Sequence, residues 1–427
     1  MAAIEWPACK LDDLGFVGRG KSKHRPRNDK SLYNGTYPFF QTGDIKAANF
    51  HLTEYSQTYN EKGLAQSKMW QPGTLCITIA ANIAETAILG IPACFPDSVV
   101  GFVPNPEKAD VRFIKYYIDT IKLQMQIVSR GTTQDNLSLD KLLTFDFRVP
   151  PLPLQRRIAV ILSAFDDLIE NNQRRIKILE EMARALYREW FVQFRFPGHE
   201  KVRKVPSPLG LIHQDWDATT LREQLVALES GKRPKGGIQD VSEGIPSIGA
   251  ENIDGIGRHD FGNEKFVPRE FFEKMNKGVV QNRDVAIYKD GAYIGKSSYF
   301  RDGFPHAECC VNEHVFLLRV NGIRLTQNAL YLWLQEPDTV HAIRATNANA
   351  AQPGINQQSV SGLTLVVPDS NTAENFDSIV EPMLAEIINL AKRNQILRRT
   401  RDLLLPKFLS GELDVSKFPD QPAEATA

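Results

Sequence analysis

Residues 154–191 read LQRRIAVILSAFDDLIENNQRRIKILEEMARALYREWF, and the period of their apolar positions decides the fold. Leu154, Ile158, Ile161, Phe165, Leu168, Ile176, Leu179, Ala183, Leu186 and Trp190 follow one another in steps of three and four, and the rhythm slips briefly at Asn172. That pattern predicts a long helix with a narrow apolar stripe, the mark of a coiled-coil seam rather than a broad globular face. At about 1.5 Å per residue the helix is a rod of roughly 55–60 Å, and a rod with so thin a stripe needs a partner to bury it.

The partner lies further along the chain. Residues 376–408 read FDSIVEPMLAEIINLAKRNQILRRTRDLLLPKF, where Phe376, Val380, Met383, Ile387, Leu390, Leu397, Leu404 and Phe408 keep the same rhythm and Asn394 and Arg401 are polar seam positions. Pro382 is expected to kink or delay this second helix, because proline removes an internal hydrogen bond and crowds the preceding turn.

The segments around the helices repeat. Trp6 and Leu11 recur as Trp216 and Leu221, and Tyr37–Ile45 is echoed by Ile245–Ile253. Residues 71–79 are echoed by 281–289, and 134–150 by 352–368. In the helices Ile169 falls on Ile387, Leu179 on Leu397, Leu186 on Leu404 and Trp190 on Phe408. A duplication with drifted identities accounts for this. The expected organisation is a first head (1–150), a long helix (151–194), a Pro/Gly/Lys linker (195–213), a second head (214–368), a second long helix (369–412) and a tail (413–427). The fold class is therefore mixed α/β: two globular heads joined by two long antiparallel helices, related by a pseudo-two-fold, with the helices as a spacer between unlike heads.

Bulk properties narrow the function classes. A chain of 427 residues, 42% hydrophobic and 24% charged, is expected to form two or three soluble domains. No apolar run reaches the length of a membrane span and residues 1–10 lack a signal-peptide pattern, so a cytoplasmic, membrane-free protein is expected. The five cysteines show no CxxC spacing and the eight histidines no ligand spacing, so no metal is expected in this chain. Formal net charge is zero, but residues 19–30 (RGKSKHRPRNDK) carry six Lys or Arg and one His against one Asp, and a local patch is enough for a phosphate footprint. Elsewhere acids compensate, notably Glu170, Glu180, Glu181 and Glu189.

Several motifs invite chemistry. Residues 15–22 (GFVGRGKS) fit GxxxxGK[ST], but a P-loop needs a buried strand before it and a helix after it. Residues 10–14 (KLDDL) make a poor strand, and 23–27 (KHRPR) cannot open a helix. Phe16, Gly18 and Gly20 resemble a methyltransferase glycine loop, yet residues 105–108 (NPEK) lack the second proline and the aromatic that an amine target requires. Asp166, Asp167 and Asp217 stand alone and read as a solvated face or a cap. No catalytic residue is expected.

What remains is recognition chemistry. Arg19, Lys21, Lys23, Arg25 and Arg27 alternate along a loop that could follow a phosphate backbone or reach a guanine edge. Arg130, Thr133, Gln134 and Asn136 lie in or beside a stretch dense in hydrogen-bonding groups. In the second half Lys232, Arg233, Lys235, Lys289, Tyr293 and Lys296, with the amides Asn347, Asn349, Gln352 and Asn356, are the corresponding candidates.

With these residues in place, the chain resembles over nearly its full length the specificity (S) subunit of type I restriction–modification systems. The strongest signals are residues 149–172 (VPPLPLQRRIAVILSAFDDLIENN), 185–198 (ALYREWFVQFRFPG) and 404–415 (LLPKFLSGELDV), with residues 19–29 and 230–237 resembling variable target-recognition loops. The resemblance implies a non-catalytic reader of double-stranded DNA, each head taking one half of a bipartite asymmetric site and the helices setting the gap. It implies two methylation subunits bringing adenosylmethionine and restriction subunits bringing ATP- and Mg-dependent cleavage, with no cofactor held by this chain. It also places partner docking around Tyr187, Trp190, Phe191, Phe408 and Leu409. The rival readings are a P-loop NTPase using Gly15–Ser22 and a coiled-coil adaptor without a DNA role.

Overall fold

Strands β1 (Gly15–Arg19), β2 (His51–Leu52), β3 (Leu75–Thr78), β4 (Thr86–Leu89) and β5 (Val99–Pro104) form one sheet of the first head, in the order β1-β5-β3-β4-β2. All neighbours are antiparallel except β2 and β4, which run parallel. The second head builds the same sheet from β6 (Leu225–Ser230), β7 (Gly255–Ile256), β8 (Asp284–Tyr288), β9 (Ser297–Phe300) and β10 (Val315–Val320), in the order β6-β10-β8-β9-β7. Again only the outermost pair, β7 and β9, is parallel. A smaller sheet repeats as well. Tyr33–Phe39 pairs in parallel with Ala93–Cys94 in the first head, as Ile245–Ile248 does with Cys310–Val311 in the second. The duplication read from low-identity echoes is thus a duplication of topology.

The structure, a computed structural model, describes residues 6–48, 50–130, 136–238, 241–291, 293–346 and 354–415, and the backbone alone at Arg130. The chain divides into two compact units, Met1–Glu170 with Ile396–Ala427, and Asn171–Gln395. Each unit holds one head and a part of each long helix.

Helix α1 (Val111–Arg130) lies in the first head. Its Phe113, Ile114 and Ile118 share one core with Ile158, Ala159 and Leu162 of α2 (Leu152–Tyr187). In the second head α3 (Gln327–Leu334) is buried along nearly its whole length. It packs with Ile176, Ala183 and Tyr187 of α2 and with Phe376, Val380, Leu384 and Ile387 of α4 (Ser370–Leu409). Leu405 and Phe408 of α4 belong to the first core. Within the second unit the helices run antiparallel: Asn172 bonds Asn394, Arg175 pairs with Glu386, and the rings of Tyr187, Trp190 and Phe191 surround Phe376.

The structure corrects the seam in the first half of α2. Leu168 is 51% exposed, and the buried positions include Ile158, Ala159, Leu162, Asp166 and Ile169. A charged residue on the seam disguised the register. Asp166 is not solvated: it accepts a hydrogen bond from Tyr116 Oη and pairs with Arg401. Burial, then the charge of Asp166, pushes the Tyr116 phenol up. Burial works to lower the Arg401 pKa, but Asp166 and Asp402 outweigh it and hold it raised. Glu180, read as a compensating surface acid, is also buried and bridges Arg184 and Arg258 at 2.7 and 2.6 Å.

Two further expectations change. Pro382 neither delays nor interrupts α4, which is helical from Ser370. Val380 and Leu384 bury on either side of it, and Glu381 gathers Arg301, Arg283 and Asn328 at 2.6, 2.7 and 2.8 Å. That packing offsets the backbone hydrogen bond proline cannot make. The linker at 195–213 contains an antiparallel hairpin, Lys204–Ser207 with Gly210–His213. Beyond Tyr187 the helix widens into a π turn, Arg188–Val192, and the adjacent Trp190 and Phe191 are both buried there.

Candidate nucleic-acid interface

In each head the chain leaves the edge of the five-stranded sheet through a glycine with no room for a side chain. A Cβ at Gly20 would lie 2.2 Å from the Pro96 carbonyl oxygen, and one at Gly231 would lie 1.5 Å from that of Val311. The Gly20 amide donates to Val99 O at 2.8 Å and the Lys21 amide to Phe95 O at 3.1 Å, while the Gly231 amide donates to Asn312 O at 3.3 Å. Both basic loops therefore start from a stem locked against the loop that precedes β5 or β10.

The same neighbouring loop supplies an acid in each head. In the first, Arg19 Nε donates to the Asp97 carbonyl oxygen at 2.9 Å, Arg27 reaches the Asp97 carboxylate at 2.6 Å, and Arg25 stands 3.7 Å from its other oxygen. Arg25 also donates to the carbonyls of Ser22 and His24 at 2.7 and 2.9 Å. Three arginines named from sequence thus converge on one residue, leaving an excess of positive charge, while Lys21 and Lys23 are exposed. His24 braces the loop through Asp29 at 2.8 Å; hydrogen bonds from Ser31, then from His24, hold the Asp29 carboxyl below its ordinary value.

In the second head Arg233 pairs with Glu313 at 2.9 Å and Lys289 donates to the Glu313 carbonyl oxygen at 2.9 Å. Lys232 and Lys235 are exposed. Lys296 sits 4.9 Å from the Tyr293 ring centroid and 3.1 Å from Asp254, and Tyr293 is 58% exposed. Asn356 caps a short helix by accepting from the Ser359 amide at 2.8 Å, so its side-chain oxygen is engaged in structure. Asn136 is exposed. The Arg130 side chain, Thr133, Gln134, Asn347, Asn349 and Gln352 lie outside the described residues.

A third feature escaped the sequence. Lys68 Nζ lies 3.7 Å over the Trp70 ring and 4.7 Å over that of Phe16, which is 56% exposed on β1. Gly18 and Gly101 are register partners on β1 and β5, and a Cβ at Gly101 would stand 2.6 Å from the Trp70 ring. The bare strip that seats the indole comes from two strands far apart in sequence. Only Gly18, within an apparent glycine loop, hinted at it.

The GFVGRGKS string has no P-loop setting. Leu11–Leu14 is a one-turn helix, Gly15–Arg19 is a strand, and no helix follows before the short turn at Lys30–Leu32. Nor are the aromatics expected at a docking surface free. Tyr187, Trp190, Phe191 and Phe408 are 5, 4, 8 and 1% exposed and serve the cores, with Leu409 half-buried. The exposed apolar side chains nearby include Ile178 and Ile396, at 55 and 65%, which the helix repeat brings into correspondence.

Residues 3–181 match the family described as "Type I restriction modification DNA specificity domain". The chain is 23% identical over 436 residues to the Type I restriction enzyme MjaIX specificity subunit of Methanocaldococcus jannaschii, covering 97% of this chain and 95% of that protein. It is 26% identical over 295 residues to the MjaVIII specificity subunit of the same organism, covering 68% and 65% of the two chains. Among solved structures, the Type-I restriction-modification system S subunit from M. genitalium aligns with a TM-score of 0.57 at 18% identity, over 99% of this chain and 98% of that one. At that identity the structural likeness speaks for the fold.

Proposed function

We infer that this chain, a member of the type I restriction–modification specificity-subunit family, reads double-stranded DNA and performs no chemistry on it. One observation supports the reading most: the same sheet occurs twice, and each copy launches a basic loop from a locked glycine beside an acid, Asp97 or Glu313. An acid that holds arginines extended lowers the ordering cost of presenting them to a phosphate or a base edge. The residues around the two stems differ, so the two heads would read different half-sites of an asymmetric site.

In the first head Arg19, Arg25 and Arg27 supply held guanidinium groups, and Lys21 and Lys23 supply mobile charge for phosphates. In the second, Lys232, Arg233, Lys235, Lys289, Tyr293 and Lys296 take these parts. Phe16 and Lys68 are added as a ring and a cation at the edge of the first sheet. The amides Asn347, Asn349 and Gln352 remain candidates from sequence, as do Arg130, Thr133, Gln134 and Asn136.

Methylation and restriction subunits are the partners that this role requires, two of the former, and adenosylmethionine, ATP and Mg belong on them. The corresponding exposed positions Ile178 and Ile396 support a repeated docking surface, which would be used once in each half of the chain. No described helix is long and apolar enough to cross a membrane, and a cytoplasmic location fits access to DNA.

Methylome sequencing of cells carrying this chain and a methylation partner tests the assignment. A bipartite motif should appear, and Arg27→Ala should relax one half-site while Arg233→Ala relaxes the other. An unchanged methylome in both variants, or no motif with the wild type, would sink the reading.

A further inference from the structure

The histidines show no ligand spacing in sequence, but the fold of the second head brings two of them together. His259 Nε2 lies 2.6 Å from Glu264 Oε1, and His306 Nε2 meets the same oxygen. The three candidate donor atoms lie within 4.8 Å of one another. The His259 side chain is 1% exposed, Glu264 13% and His306 23%. We propose that His259, Glu264 and His306 form a zinc site.

Three separate segments supply the donors. His259 follows β7, Glu264 precedes the strand Phe266–Val267 of the smaller sheet, and His306 lies in the loop beyond β9. The imidazole rings stand perpendicular with centroids 5.5 Å apart, and the Phe261 ring faces both edge-on at 4.6 and 5.7 Å. An apolar wall of this kind limits water access and strengthens charge interactions inside it.

The donor set selects the metal class. Two imidazoles and one carboxylate suit zinc, whereas calcium and magnesium favour oxygen-only shells. With bonds of about 2.0–2.1 Å, tetrahedral ligand atoms sit about 3.3 Å apart, so each imidazole nitrogen would draw back from the shared Glu264 oxygen by less than about 1 Å. The fourth position would fall to water on the open side, beside His306. Metal binding there would clamp the smaller sheet of this head to its five-stranded sheet. Among the described residues the first head has no counterpart: it joins β4 to the next strand through residues 90–92, where the second head inserts the longer loop that carries His306.

The test uses the full chain, stripped with a chelator and titrated with zinc chloride by calorimetry, with cobalt(II) absorption reporting coordination geometry. One zinc per chain is expected, with a rise in melting temperature and tetrahedral cobalt bands. Glu264→Gln and His306→Ala should each weaken zinc binding at least tenfold while melting like the metal-free wild type. Cys309→Ser, close in sequence but with a different donor, should bind zinc as the wild type does. Absence of zinc uptake, equal affinity in all variants, or loss only in Cys309→Ser would overturn the site. None of these outcomes depends on DNA binding.

Discussion

The Asn172 side-chain amide donates to Asn394 Oδ1 at 2.8 Å, with both residues buried. That bond joins a buried donor to a buried acceptor in a seam that Ile176 and Leu390 continue as apolar packing. Replacing one partner strands the other in an environment without water. Asn394→Leu should cost about 1–3 kcal/mol, and adding Asn172→Leu should recover most of that loss. A double-mutant cycle by denaturant unfolding measures the coupling, and simple additivity would show that the two amides act independently.

The Asp166–Arg401 pair is a different case, because a charge is left behind. Asp166→Asn should destabilise the first unit by about 3–5 kcal/mol, since Arg401 loses its buried counter-ion and Tyr116 its acceptor.

Glu381 gives the second unit a pH dependence. Burial alone would raise its carboxyl, but hydrogen bonds from Arg301 and Asn328 and the charges of Arg301 and Arg283 outweigh that and hold its pKa below 4.5. A carboxylate depressed in the folded state contributes stability that is complete above its unfolded pKa and lost as pH falls through the folded value. Acid unfolding monitored by melting temperature should therefore steepen below about pH 4.5 in the wild type. Glu381→Gln should flatten that step and cost about 2–3 kcal/mol at neutral pH, because Arg301 is buried.

Lys21 and Lys23 carry the simplest prediction about DNA. If each neutralises a phosphate, replacing either with alanine should weaken binding to all sequences alike and reduce the slope of log K against log salt by about 0.9. Asp97→Ala should act otherwise, lowering the preference for the cognate half-site while non-specific binding persists, because the arginines lose their anchor. Shift assays at two stated salt concentrations separate the outcomes.

The spacer role predicts a change in gap alone. Removing one heptad from α2 and one from α4 should shorten the distance between half-sites in the methylome and leave the bases of each half unchanged. An unchanged gap would defeat the spacer idea.

The architecture was legible because helical period and duplication are written in residue type. Trp190 falling on Phe408, and the echo of one head in the other, survive even where identities have drifted. The register of the first helix half was not legible, because Asp166 occupies a position where an apolar residue was expected and its partners, Tyr116 and Arg401, lie 50 and 235 residues away. Pro382 misled for the same reason: what holds the helix through it is Glu381 gripping Arg301, a contact 80 residues long in sequence. The basic loops were found by composition, but Asp97 and Glu313, which gather their arginines, were not. Neither acid has any local signature, and only the sheet brings it to the loop. The cluster of His259, Glu264 and His306 was invisible on the same grounds.

The two locked glycines divide the chain into text that must be kept and text that can be rewritten. Any side chain at Gly20 or Gly231 collides with a carbonyl of the adjacent loop, so mutation there is blocked whatever DNA the protein meets. One residue further on, Lys21 and Lys232 face solvent, and a side-chain change there should cost the sheet little. A lineage carrying such a stem can try new recognition loops at little risk to folding, which is the condition for evolving new target sites quickly while the scaffold and its partners stay the same.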